Sequence, residues 1–193
     1  MTALPERNHH RARPAALDSM AGTSVRQAAE AWPMDPKELE RRIVELQDIE
    51  SIKRLKAEYC DICDDAHDPD RIVGIFTPDC VWESEGIAVA RGHAELRRLF
   101  EDFARRVSFS QHNVFNPCIS VDGDRAHGSW YLLGPFAFRE GPRQMWIAIR
   151  YEEDYVRVDG CWKIGHLRAI GRMAAPRTEA WSSSDDPGIF SRS

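Results

Sequence analysis

Ala126-His127-Gly128-Ser129-Trp130-Tyr131-Leu132-Leu133-Gly134-Pro135-Phe136-Ala137-Phe138 lies between two turn signals. Asp122-Gly123-Asp124 precedes it and Glu140-Gly141-Pro142-Arg143 follows it. An Asp-Gly pair between apolar runs marks a hairpin, because glycine accepts the positive φ of a tight turn without penalty. Upstream of the first turn, Phe109 to Val121 reads as another strand. Downstream, Met145 to Val158 and Cys161 to Ile170 are strands joined at Asp159-Gly160. Four long strands linked by three turns predict an antiparallel meander.

The period is different nearer the N-terminus. Leu39, Ile43, Leu46, Ile49, Ile52, Leu55, Tyr59 and Ile62 recur every three or four residues, which predicts one apolar stripe on a long helix. Asp68-Pro69 starts a second helix with Ile72, Val73, Ile75 and Phe76 on its apolar face, and Thr77-Pro78-Asp79 stops it. Cys80 to Glu83 reads as a short strand. Gly92 opens a third helix that buries Leu96, Leu99, Phe100, Phe103 and Val107. Helices first and strands last indicate an α+β fold. The expected architecture is a cone-shaped, curved antiparallel sheet, an α+β barrel, packed with three N-terminal helices. Its concave side is a pocket, the usual place for a small ligand. Residues 1–34 read as a disordered extension, with Met34 a second candidate start. Residues 35–171 read as the domain and residues 172–193 as a tail.

The chain has 193 residues and a formal net charge of -5, so no basic footprint for nucleic acid is present. It lacks an apolar run of the ~20 residues that a spanning helix needs and an apolar N-terminal secretory stretch. A cytoplasmic protein without a membrane partner is expected. The five cysteines are odd in number and show no framework, which suggests reduced thiols. Cys60 and Cys63 form a C-x-x-C without a second pair. Two small residues on a helix explain them better than a redox or zinc site.

His112, in Ser110-Gln111-His112-Asn113, falls early in the first long strand. Imidazole can exchange a proton near neutral pH, although a lone strand histidine is more often structural. Asp61, Asp64 and Asp65 close the long helix, where acidic groups oppose the helix dipole and so need a specific reason. Solvation explains Asp65, and capping of the next helix explains Asp68. A carboxylate bonded to one imidazole nitrogen fixes the tautomer, and such a pair abstracts and returns protons without a metal. His67, His93, His127 and His166 show no ligand spacing, so neither metal nor cofactor is expected. Trp82, Phe115, Trp130, Tyr131, Phe136, Phe138 and Trp146 offer an aromatic lining for a large apolar ligand, with ordinary core packing as the alternative.

The segment from Glu38 to Ile170 resembles the SnoaL-like branch of the nuclear transport factor 2-like superfamily. The resemblance rests on Asp48 to Lys56, Tyr59 with Asp64, Phe76-Thr77-Pro78-Asp79-Cys80-Val81-Trp82, Arg91-Gly92, Gln111-His112, Val121 to Asp124 and Asp159 to Ile164. Within that superfamily it is most similar to bile acid 7α-dehydratases and, more distantly, to scytalone dehydratases. The resemblance implies a catalytic His112–Asp64 pair with Tyr59 beside it. Two positions depart from the pattern: Gly134 stands where the bile acid enzymes have a second aspartate, and Gly171 where they have a late arginine, with Arg168 and Arg172 nearby.

These readings predict a cofactor-independent dehydratase for a small apolar cyclic or polycyclic hydroxy-carbonyl compound. His112, Asp64 and Tyr59 are its expected catalytic residues, and Trp82, Phe115, Trp130, Tyr131, Trp146 and Arg168 its expected substrate contacts. A ketosteroid-type isomerase and a non-catalytic binding or assembly module are the alternatives. The amphipathic helix and an exposed sheet face suggest a homo-oligomer, with the trimer favoured over the dimer.

Overall fold

The computed structural model describes residues 35–141 and 143–176. Two compact units divide between Arg42 and Ile43. The described part of the first is the opening of helix α1 (Pro36–Asp64), where Glu38 pairs with Arg41 at 2.9 Å and Arg42 at 2.8 Å. The expected extension, residues 1–34, lies outside the described residues.

The second unit holds the rest of α1, helices α2 (Pro69–Gly74) and α3 (Gly92–Arg106), and seven strands. The predicted stripe of α1 is buried only in its later turns. Ile52, Leu55, Tyr59 and Ile62 are buried, whereas Ile43 and Leu46 are exposed. The burial begins at Asp48, whose carboxylate accepts from Arg157 Nη2 at 2.7 Å and Trp162 Nε1 at 3.1 Å. Asp68 caps α2 as predicted, accepting from the backbone N–H of Asp70 at 2.8 Å and Arg71 at 3.1 Å.

The strands are β1 (Phe76–Ser84), β2 (Ala88–Arg91), β3 (Val107–Ser110), β4 (Val114–Asp122), β5 (Arg125–Phe138), β6 (Gln144–Val158) and β7 (Cys161–Pro176). They form one strongly curled, open sheet in the order β2-β1-β7-β6-β5-β3, with β4 also pairing β5. The meander β4-β5-β6-β7 is antiparallel as predicted. The sheet as a whole is mixed, not antiparallel, because β1 pairs parallel to β7 from Val81↔His166 to Ser84↔Ala169. Hairpin signals specify only neighbours joined by a short turn, and this pair is separated by α3 and the whole meander.

Four boundaries differ from the expectation. Phe76 opens β1 and does not belong to the α2 face; Thr77-Pro78-Asp79 lies inside β1, at a register shift that accommodates a proline unable to donate. Val107 starts β3. The single run Phe109–Val121 is two strands, interrupted at residues 111–113. β7 continues past residue 171 to Pro176, which pairs with Met145.

Candidate active site

The break between β3 and β4 carries His112. It is pinned to β5 on both sides: the Gln111 N–H donates to the Pro135 carbonyl at 3.1 Å, and the Leu133 N–H donates to the Asn113 carbonyl at 3.1 Å. Gly134 lies between those contacts. A Cβ there would stand 1.8 Å from the Gln111 carbonyl oxygen, so only glycine lets the His112 segment press onto the sheet. The departure noted in the sequence therefore has a local cause.

Asp64 is the last residue of α1 and points at this segment. Its Oδ1 lies 2.6 Å from His112 Nδ1, its Oδ2 accepts the His112 backbone N–H at 2.8 Å, and Ser110 Oγ donates to Oδ1 at 3.1 Å. Burial pushes the Asp64 carboxyl up, but the bonds from the His112 ring and backbone, the His112 charge and the Ser110 hydroxyl outweigh it. The carboxyl is held below its ordinary value and remains ionised. The acid that opposes the helix dipole is explained by this capture of the imidazole. The His112 side chain is 7 % exposed. With Nδ1 on the carboxylate, Nε2 is the nitrogen left for chemistry.

That ring lines a cavity of about 350 Å³. Tyr59, Cys63, His67, Trp82, Phe100, Phe103, Phe136 and Tyr151 share the lining, Ile147 and Ile149 extend an aliphatic wall, and the exposed Arg106, Glu140 and Arg143 add a charged rim. Tyr59 is buried, accepts from Trp82 Nε1 at 3.2 Å, and meets the His112 ring edge-on with 6.5 Å between centroids. Burial, then the neighbouring Cys63, pushes its phenol well above the ordinary range, so it remains an O–H donor. Cys60 and Cys63 are free, buried thiols, and burial pushes Cys60 up to about 12. Among the described residues no group of three or more His, Cys, Asp and Glu is placed to hold a metal. Nor is any described helix long and apolar enough to cross a membrane.

The structure brings His112, Asp64, Tyr59 and Trp82 together. The other five expected contacts lie elsewhere. Trp130 points inward but lies outside the lining, in the core, where its Nε1 donates to Tyr155 OH at 3.0 Å. Tyr131 is on the opposite face of β5 by the two-residue period, stacked on exposed Phe115 at 6.2 Å and accepting from Arg150 Nη1 at 3.1 Å. Trp146 is exposed opposite Pro135, and Arg168 faces Glu83 and Glu152 at 3.8 and 3.9 Å. In both, the inward residues are the neighbours, Ile147 and Ala169.

Sequence reasoning missed His67. Its φ is +56° and that of Ala66 +59°, a left-handed pair at a cost of roughly 1–2 kcal/mol per residue. This places a ring that is 6 % exposed between Phe100, Phe103 and His112, with centroids 6.1, 5.8 and 6.4 Å away. Neither ring nitrogen has a hydrogen-bond partner among the described residues, a condition that costs on the order of 1–3 kcal/mol in a dry site. Burial, reinforced by the His112 charge and opposed by Asp64, pulls His67 down to about 4, so it is neutral. No local motif announces it, since its neighbour Asp68 already explains the helix start.

The chain matches the SnoaL-like domain over residues 44–168. Three solved structures are similar to it. A hexachlorocyclohexane dehydrochlorinase, LinA-type3 from Novosphingobium barchaimii LL02, is 24% identical with a TM-score of 0.64, over 69% of this chain and 92% of that one. A candidate scytalone dehydratase from Novosphingobium aromaticivorans DSM 12444 is 21% identical with a TM-score of 0.63, over 69% and 90%. A variant of Rv3472, a protein of unknown function from Mycobacterium tuberculosis, is 27% identical with a TM-score of 0.60, over 72% and 78%. The curled sheet, the match across both residues of the His–Asp pair and these shared folds have one reading: the protein belongs to the SnoaL-like family of the nuclear transport factor 2-like superfamily.

Proposed function

We propose that the protein is a cofactor-independent dehydratase that eliminates water from a cyclic or polycyclic β-hydroxy carbonyl compound. The observation that carries this reading is the 2.6 Å contact between Asp64 and His112 Nδ1 at the wall of an apolar cavity. Two of the similar structures bear the names of eliminating enzymes, a dehydrochlorinase and a candidate dehydratase. His112 Nε2 takes the acidic proton beside the carbonyl, and Asp64 stabilises the imidazolium that forms. The Tyr59 hydroxyl donates to the oxygen on which enolate charge develops. The same proton then returns to the departing hydroxyl. Apolar walls keep competing water away from these charges.

The test uses 3-hydroxycyclohexanone and a fused-ring β-hydroxydecalone as probes, with mass spectrometry as the readout. Loss of one water is expected, and His112→Ala should lower the rate by ~10²–10⁴ while the circular dichroism spectrum is unchanged. Unaltered turnover in that variant removes His112 from the mechanism. A rearranged product of unchanged mass replaces dehydration by isomerisation.

A further inference from the structure

His67 plays no part in the acid–base pair, yet it is built into the same cavity. It lines the wall beside His112, is 6 % exposed, and is surrounded by Phe100, Phe103 and the His112 ring. None of these offers it a hydrogen bond, and its backbone holds a left-handed conformation that places the ring there. A core histidine of this kind ordinarily donates one nitrogen to a carbonyl or carboxylate. His67 lines the cavity, where a bound molecule can supply the partner that the protein does not.

We infer that His67 is a catalytic residue that anchors the oxygen of the bound compound by donating its ring N–H to the hydroxyl that leaves. This rests on the elimination proposed above and fixes the chemistry of its leaving group. In a 1,2-elimination the acidic C–H and the departing oxygen sit on adjacent carbons. With each protein nitrogen ~3 Å from its atom, base and anchor stand about 5–8 Å apart. The two imidazole centroids are 6.4 Å apart. The C–H bond breaks to His112 and its electron pair forms the C=C bond. The C–O pair leaves with the oxygen, which takes the proton back from His112 and departs as water. His67 keeps its own proton throughout. Its neutrality suits this role, since a neutral ring presents one N–H and no charge to compete with the His112 imidazolium. An N–H donor of this kind favours oxygen over a halide, which accepts hydrogen bonds less well.

The assignment is tested with 2-naphthol and naphthalene, two rigid bicyclic probes that differ by one hydroxyl. In protein with 15N-labelled histidine, 2-naphthol should shift the His67 ring resonance, identified by its loss in His67→Gln, and naphthalene should leave it in place. The preference of the wild type for 2-naphthol over naphthalene should fall about 10-fold in His67→Phe and return in His67→Gln, which keeps an N–H donor. A merely structural role would weaken both compounds alike. An undiminished preference in His67→Phe, a shift confined to His112, or no binding of either compound to the wild type overturns the assignment. The two proposals fail separately. If the β-hydroxy ketones lose water at the same rate with His67→Phe, His67 is not the anchor. If the hydroxyl preference depends on His67 but no probe loses water, the elimination is wrong and the anchor remains.

Discussion

A proton added to His67 would enter a wall of phenylalanines. Its folded-state value is about 4 against an ordinary 6.5, so the unfolded chain takes up a proton across that interval and the folded chain does not. A base held below its ordinary value stabilises the folded state fully above 6.5 and loses that contribution as the pH falls towards 4. The shift corresponds to roughly 3 kcal/mol. Asp64 acts in a different window: its depressed carboxyl stabilises the fold above the ordinary value of 3.8 and loses the effect below it. Urea unfolding at pH 7, 5.5 and 4 should therefore show the wild type weakening between 6.5 and 4, and His67→Phe should flatten that slope. An equal slope in both proteins would show that His67 is not the group titrating. The pairing of Asp64 with His112 was legible through the family resemblance, and Asp64 also broke a local rule, as an acid at a helix C-terminus. His67 was not, since its significance is the absence of a partner, which only three-dimensional neighbours reveal.

The segment between β3 and β4 has no hydrogen-bond ladder of its own, and its geometry is borrowed from β5. Gly134→Ala puts a methyl group against the Gln111 carbonyl, where 1.8 Å is available. The backbone of residues 111–113 must then lift away and take the His112 ring off Asp64. The expected result is a fall in turnover approaching that of His112→Ala, with most of the stability retained because the edge moves and the core does not. Proton NMR of the bonded imidazole N–H reads the geometry directly: a resonance identical to that of the wild type would refute the coupling. Strand phase explains most of the misassigned contacts. Composition placed the aromatics correctly on β4, β5 and β6, but inward and outward alternate residue by residue. Register shifts between Phe115 and Cys118, and between Ala148 and Ile149, reset that alternation without any mark in the sequence. Turns, by contrast, were readable because Asp-Gly specifies its own geometry.

Across the second unit, one buried polar network joins helix to sheet. Lys56 and Glu153 form an ion pair with both side chains fully buried. Tyr155 donates to the same carboxylate and accepts from Trp130. The ammonium also lies over the Tyr151 ring, 3.5 Å from its centroid. Such a pair is sustained only when every polar atom is partnered. One row of the opposite face is apolar, between charged rows such as Glu152 with Arg168: Leu133, Ala148 and Met173 are in register across β5, β6 and β7, and Leu133 and Met173 are 39% and 45% exposed. We propose that this row packs against further copies of the chain, as the expected homo-oligomer requires. Sedimentation equilibrium should give three times the 22.1 kDa chain mass, and Leu133→Glu should return a single chain. A wild type that sediments as one chain refutes this, and two chains refute the trimer.

The parallel pairing of β1 with β7 has a temporal consequence. Two sides of the cavity meet where Ser84 of β1 pairs with Ala169 of β7, so the seam joins an early strand to the last described one. During synthesis, α1 through β6 can emerge and begin to pack, but the chamber is still unwalled along that seam. Closure waits for residues near the end of the domain and bridges a long sequence separation, the kind of step that slows folding. A nascent chain therefore has its His–Asp pair available well before it has a room in which to use it.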